Sequence, residues 1–292
     1  MTDVHEGDYQ RRVGKVSSRV LAGTSIEIIG DARPGELPRH ALFDFDGTLS
    51  LIREGWVDVM VPLMVEILQE TGTDESPGEL AELCRVFIDE LTGKQTIYQM
   101  MQLAEEVEKR GGTASDPLDY KDLYNRRLLP DVEQRIAQLT DGILEAESLR
   151  VPGSLDLLQR LRQRDVHLYL ASGTDIEFVR HEAKLLGVAG HFDGGIFGAL
   201  REYAKFSKAM VIQKILSDFN LAGNQLLIIG DGYVEIENAK SVSAVAVGVA
   251  SKENNRYQMN ANKRERLIRA GADIIIEDYT EVDVLLNYLF EK

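Results

Sequence analysis

His40-Ala41-Leu42-Phe43-Asp44-Phe45-Asp46-Gly47-Thr48-Leu49 is the stretch on which the fold turns. An apolar run ends in two carboxylates at alternate positions, with Gly and Thr directly behind them. A buried strand over 41–45 alternates its side chains, so Asp44 and Asp46 leave it on the same side. Two carboxylates that close at a strand end need a cation, a shared proton or water between them. The plainer reading is a strand running into an Asp-Gly turn, which is common in isolation.

Three further segments follow in order. Val166-His167-Leu168-Tyr169-Leu170-Ala171-Ser172-Gly173-Thr174 reads as a strand ending in a hydroxyl and a glycine, with a helix opening near Asp175. A hydroxyl beside free backbone N–H groups at a helix start makes a phosphate cradle. Taken alone, Ser172 is an ordinary strand-end or capping serine. Ser207-Lys208 opens an amphipathic run over 209–216. A cation there opposes the helix dipole, gains little locally and is available to an anion. Lys205 is its rival, and Lys208 is preferred because it adjoins the helix. Gln225-Leu226-Leu227-Ile228-Ile229-Gly230-Asp231-Gly232 is an apolar strand breaking into Gly-Asp-Gly, with Glu235 four residues past Asp231. Alone it would be a turn. Together, Asp44, Asp46 and Asp231 gather negative charge at the ends of strands expected to be neighbours. Oxygen-only ligands of this kind suit Mg²⁺.

In this order the four segments resemble the motifs of the haloacid dehalogenase-like superfamily: Asp-x-Asp-Gly-Thr after a strand, a strand ending in Ser or Thr, a lysine, and Gly-Asp followed by a second acid. The resemblance covers roughly 41–290 and implies the roles. Asp44 would be the nucleophile that forms an aspartyl-phosphate. Asp46 would protonate the leaving group and then activate water. Ser172 and Lys208, with Gly47 and Gly173, would hold the phosphoryl oxygens. The metal residues would be Asp44, Asp46 through its carbonyl, Asp231 and Glu235. The last departs from the usual Asp and would act on the metal's waters. Dehalogenases of this superfamily lack an acid two residues after the nucleophile, so Asp46 points to phosphoryl transfer. The ion-pump continuation Asp-Lys-Thr-Gly-Thr is absent.

Helical and strand patterns alternate from Phe43 onward in the 292-residue chain, as in a parallel α/β sheet. Strands are expected near 41–45, 166–172, 225–230, 244–249 and 273–277, with a weaker one near 194–198. The fold class is therefore α/β, a doubly wound Rossmann-like sheet. Between the first two motifs, 56–70, 79–91, 96–109 and 131–146 show helical spacing. That insert resembles the helical cap of the phosphoglycolate phosphatase-like branch. The expected division is an N-terminal extension over 1–40, a core over 41–52 and 151–292, and a cap over 53–150. Arg53 at the hinge and Lys94 in the cap are candidates for reading the substrate's polar end, though surface cations are commoner. Trp56 and Met100-Met101 read as cap core. Residues 24–29 suit a short strand at the sheet edge. Residues 1–19 are polar, lack a signal peptide's apolar centre, and are expected to be loosely ordered. The basic run over 262–266 reads as the solvated face of a late helix.

A net charge of −15 argues against nucleic acid or an anionic membrane as partner. No apolar run is long enough to span a membrane. One cysteine, Cys84, forbids an internal disulfide, reads as a core thiol and fits a reducing cytosol. The expected function is a Mg²⁺-dependent phosphatase acting on a small phosphorylated metabolite. Three readings stay beside it: a sugar phosphomutase, a phosphonate-cleaving enzyme, and a non-catalytic binding protein on the same fold. Which metabolite is bound, and the oligomeric state, are not written in the sequence.

Overall fold

The computed structural model describes residues 17–30, 37–252 and 258–291. In chain order its strands are β1 (Ser18–Val20), β2 (Glu27–Ile29), β3 (His40–Phe43), β4 (His167–Asp175), β5 (Gly195–Ala199), β6 (Leu226–Gly230), β7 (Val245–Val249) and β8 (Ile274–Ile276). Four helices lie between β3 and β4: α1 (Trp56–Gln69), α2 (Pro77–Leu91), α3 (Thr96–Lys109) and α4 (Pro117–Thr140). The rest are α5 (Ser154–Arg162), α6 (Ile176–Leu185), α7 (Lys208–Phe219), α8 (Tyr233–Ser241), α9 (Ala261–Ala270) and α10 (Val282–Phe290).

All these strands join one sheet in the order β1-β2-β8-β7-β6-β3-β4-β5. The six from β8 to β5 are parallel, while β1 and β2 add antiparallel. β2 pairs with β8 and is itself covered by β1, which forms the edge. Both faces of the sheet are buried, and strand alternation divides them. Ala41 and Phe43 pack with Leu157, Leu161 and Leu285, from α5 and α10. Leu42 packs on the other face with Ile212, Ile236 and Leu267, from α7, α8 and α9. Strands buried on both faces read as continuous apolar runs, which is why Leu226–Gly230 and Ile274–Ile276 were legible. After β5 the chain returns to the far side of β3 to lay down β6. The carboxyl end of β3 is thus a topological switch point, where open α/β sheets hold their ligands.

The helical cap departs from the expected pattern in one place. α4 begins at Pro117, well before residue 131, and ends at Thr140. Asp116 accepts the N–H of Leu118, Pro117 fills the first turn, and Pro130 is carried inside the helix. Tyr120, Tyr124, Leu128 and Val132, spaced by four, form its buried stripe. Cys84 is fully buried in the cap core, and burial pushes its thiol up to about 12. Met100 is also core, while Met101 and Trp56 are half-buried. No described helix is long and apolar enough to cross a membrane. The expectation of a loosely ordered start falls almost wholly on residues 1–16, outside those described.

At the opposite end of β3 lies a buried histidine. His40 is 4% exposed, sits 4.5 Å from the Phe219 ring and 5.1 Å from that of His167, and its Nδ1 lies 3.1 Å from the Tyr169 hydroxyl. Burial, aided by His167, pushes its imidazole down to about 4. Above pH ~6.5 the ring is neutral in both folded and unfolded chains. As pH falls from there towards 4, the unfolded chain takes up a proton that the fold refuses, and stability drops by up to about 1.4 kcal/mol per unit. Melting curves from pH 7 to 4.5 should therefore fall less steeply for His40→Phe than for the parent. Parallel curves would remove His40 as the cause.

Candidate active site

Asp44 extends the pairing of β3 by one bond, its N–H donating to Ile229 O at 2.9 Å. The chain then turns, and the N–H groups of Leu49 and Ser50 both donate to Phe45 O, at 2.8 and 2.9 Å. The strand proper ends at Phe43, so Asp46 enters the site from a turn rather than from a strand position. Gly47 makes the turn with φ at +73°, where an L side chain is strained. A Cβ there would lie 2.2 Å from Asp231 Oδ2. Gly47→Ala should therefore lose about 1–3 kcal/mol from backbone strain alone and displace Asp231 as well. A denaturation midpoint equal to the parent's would show that the turn tolerates a Cβ.

The three strand-end segments and the start of α7 converge. Asp44 Oδ1 accepts from Lys208 Nζ at 2.6 Å, and the same ammonium bonds Glu235 Oε1. Asp46 Oδ2 accepts from Ser172 Oγ at 3.1 Å and from Thr174 Oγ1 at 2.8 Å. Asp231 Oδ2 accepts from Lys263 Nζ at 2.7 Å. Ser207 caps α7 by accepting the N–H of Met210, which places Lys208 at the first turn. Lys205 lies on the surface, paired with Glu202. Of the two rival lysines, only Lys208 reaches the carboxylates.

The electrostatics are those of a crowded acidic pocket. Burial raises the Asp44 carboxyl well above its ordinary range; Lys208 opposes this, and Glu235 and Asp231 reinforce it. Burial works against the charge on Lys208, but Asp44 and Glu235 outweigh it and hold the ammonium above its usual value. Among the described residues, Asp44, Asp46, Asp231 and Glu235 are paired with two cations, Lys208 and Lys263, leaving a formal excess of two negative charges. Asp46 Oδ1 and Glu235 Oε2 are buried without a hydrogen-bond partner. Among the described residues, no three acidic, histidine or cysteine side chains stand close enough to form a ready-made metal cage. The charge excess and the all-oxygen donors nevertheless fit one hard divalent cation.

The cap closes over this floor. The loop over residues 92–95 joins α2 to α3 and seats on the strand ends: a Cβ on Gly173 would lie 2.4 Å from Lys94 O, and one on Gly232 would lie 3.1 Å from Gly93 Cα. Gln95 fastens it, donating from Nε2 to Tyr203 O at 3.0 Å and Phe206 O at 2.7 Å. Between cap and floor lies a cavity of about 790 Å³, reached by Asp44, Asp46, Ser172, Lys208 and Asp231. Trp56, expected to be core, also lines it. So do Arg53 and Lys94, but each has a partner. Arg53 is buried and donates to Glu182 at 2.6 and 3.2 Å, with its guanidinium 4.9 Å from the Phe178 ring centroid. Lys94 Nζ lies 5.8 Å from the Tyr98 ring centroid.

The reading of residues 262–266 as a solvated face holds for Asn262 and Glu265, which are exposed, and fails for the cations between and beside them. Lys263 is buried on Asp231, Arg264 pairs with Glu27 at 2.5 Å, and Arg266 reaches Asp89 of the cap at 2.7 Å. Nothing in a basic run separates cations that find buried acids from those that face water; only the return of α9 to the mouth of the site does. Thr174 and Gln95 were missed too. Thr174 stood in the quoted motif, and the hydroxyl two residues past Ser172 was the available signal.

A model of the haloacid dehalogenase-like hydrolases matches residues 38–242. Among solved structures, the chain is similar to a predicted phosphoglycolate phosphatase from Haemophilus somnus 129pt, with 15% identity, a TM-score of 0.53, and coverage of 86% of this chain and 99% of that one. It is similar to a β-phosphoglucomutase from Clostridium difficile, with 15% identity, a TM-score of 0.58, and coverage of 87% and 98%. A predicted phosphatase from Clostridium acetobutylicum gives 18%, 0.55, and 86% and 99%. At such identities the likeness is one of fold. No curated protein matches.

Proposed function

We propose that this chain, which belongs to the haloacid dehalogenase-like hydrolase family, is a Mg²⁺-dependent phosphatase that cleaves a small phosphorylated metabolite through an aspartyl-phosphate. The observation that carries the reading is the division of labour between two neighbouring acids: Asp44 held by an ammonium, Asp46 held by two hydroxyls. An ammonium favours the ionised nucleophile. The two hydroxyls engage Oδ2 alone, so Oδ1 of Asp46 is left for the leaving oxygen and the attacking water.

Asp44 attacks phosphorus while the ester P–O bond breaks, and protonated Asp46 gives its proton to the departing oxygen. Asp46, now a carboxylate, takes a proton from water. The water oxygen attacks phosphorus, frees Asp44 and releases phosphate. Lys208 and Ser172 offset the charge that gathers on the phosphoryl oxygens. Asp44, Asp231 and the carbonyl of Asp46 would hold Mg²⁺, with Glu235 beside them; the ion would screen the approaching anion from the acids. In this reading residues 53–150 act as the cap and 41–52 with 151–292 as the core. With a single buried cysteine, a reducing cytosol is the compartment it assigns.

Phosphate release from a panel of phosphomonoesters tests the reading. Chelation is expected to lower release by at least about 10²-fold, and added Mg²⁺ to restore it, because two negative charges would otherwise repel the substrate. Release untouched by chelator would remove the metal. Transfer between sugar phosphates without net release would point to a mutase.

A further inference from the structure

The leaving group must fit between cap and core, and the cations on that wall are already engaged. Arg53, at the hinge, is bonded through Nε and Nη2 to Glu182, and both side chains are buried. Lys121 of α4 donates to Asp175 Oδ1 at 2.5 Å, with the lysine side chain 9% exposed. Arg266 is paired with Asp89, and the Lys94 ammonium lies over Tyr98. Lys252 also lines the cavity and makes no ion pair among the described residues. It follows Ser251, whose hydroxyl donates to Gly47 O, so it stands on the phosphoryl side of the cavity.

A carboxylate or second phosphate on the substrate would have to draw Arg53 from Glu182 or Lys121 from Asp175. The first exchange strands Glu182, whose side chain is 1% exposed, which is costly; the second leaves Asp175, 29% exposed, without its cation at a smaller cost. Apart from the exposed acids Asp58 and Glu90 and the half-buried Glu54, what the wall offers without such an exchange is uncharged: the side-chain amides of Gln99 and Asn125, the Tyr124 hydroxyl, and the apolar faces of Trp56 and Leu128. Amides and hydroxyls pair with hydroxyls in both directions. The cavity, at about 790 Å³, is in the range that holds a ring-bearing ligand.

Building on the phosphatase reading, we propose that the substrate is a monophosphate whose leaving group is uncharged and hydroxyl-bearing, and that Glu182 and Asp175 enforce this by neutralising Arg53 and Lys121. The selection works by exclusion. Anionic leaving groups meet acids whose partners they would have to take. A sugar and a nucleoside share the required chemistry. Phosphoglycolate and the bisphosphates that phosphomutases need do not.

The test compares kcat/KM for ribose 5-phosphate, glucose 6-phosphate and adenosine monophosphate with that for phosphoglycolate, fructose 1,6-bisphosphate and phosphocholine. p-Nitrophenyl phosphate is included to report on the chemistry itself. The best of the first three is expected to exceed every one of the second three by at least about 100-fold, the discrimination that unpaired buried polar groups supply. Turnover of p-nitrophenyl phosphate together with a preference for phosphoglycolate, the bisphosphate or phosphocholine overturns this inference and leaves the phosphatase standing. No turnover of any compound overturns both.

Asp175→Asn keeps the shape and frees Lys121. It should raise the ratio of kcat/KM for phosphoglycolate over ribose 5-phosphate about tenfold, the size of one charge-pair change. Adding Lys121→Gln should cancel that gain. An unchanged ratio in a folded Asp175→Asn protein would show that the pairing does not set specificity.

Discussion

Asp44→Asn should lower phosphate release by at least about 10⁴-fold while leaving the protein folded, with a melting temperature within a few degrees of the parent's. The loss follows from chemistry. An amide oxygen is a poor nucleophile towards phosphorus, and no other carboxylate takes Asp44's place beside Lys208 except Glu235, which packs against Gly230 and Gly232 behind it. The stability expectation follows from the charges. Asp44 is desolvated and repelled by Glu235 and Asp231, so neutralising it removes repulsion as well as attraction. Lys208 keeps Glu235 as its counter-charge. A variant that merely misfolds would lose activity too. The decisive result is therefore loss of turnover with an unchanged melting curve, read beside mass spectrometry to exclude deamidation back to Asp. Residual activity above about one per cent would remove Asp44 as the nucleophile.

What the sequence made legible follows from how local each signal is. The parallel strands could be read because burial on both faces leaves little room for polar residues; Leu226–Gly230 and Val245–Val249 are each buried throughout. Asp44 and Asp231 could be singled out because each directly follows such a strand, and Asp46 and Ser172 because they lie beside the same carboxyl ends, over which open α/β sheets hold their ligands. Lys208 against Lys205 was a matter of three residues, decided by which one begins α7.

Partnership over long distances was not legible. Lys263 and Asp231 are 32 residues apart, Arg53 and Glu182 are 129 apart, and no local pattern marks either pair. The same holds for Arg264, which reaches back to Glu27 on β2. α4 escaped for another reason. Its many charged residues dilute the period that Tyr120, Tyr124 and Leu128 carry, and its internal Pro130 resembles a stop. Charged residues were therefore where sequence reasoning failed most. A cation's role depends on which acid the fold brings to it.

Asp46→Asn should behave differently from Asp44→Asn, and the difference separates the two acids. Ser172 and Thr174 donate to Asp46 Oδ2, and an amide oxygen in that position accepts both bonds, so the turn is kept. What is lost is the proton. Cleavage of an alkyl phosphate needs one delivered to its leaving oxygen, and a missing general acid costs about 10²–10⁴-fold. p-Nitrophenolate leaves without help, so formation of the intermediate from p-nitrophenyl phosphate should be nearly spared. The second step, which needs Asp46 as base to activate water, is slowed for every substrate by a similar factor. With the first step spared and the second impaired, the aspartyl-phosphate should accumulate. An initial burst of p-nitrophenolate equal to the enzyme concentration, and a gain of one phosphoryl mass on the peptide holding Asp44, would mark it. For sugar or nucleoside monophosphates no burst is expected, because both steps are slowed. Equal losses on alkyl and aryl substrates, with no burst on either, would mean that Asp46 positions the site without carrying the proton.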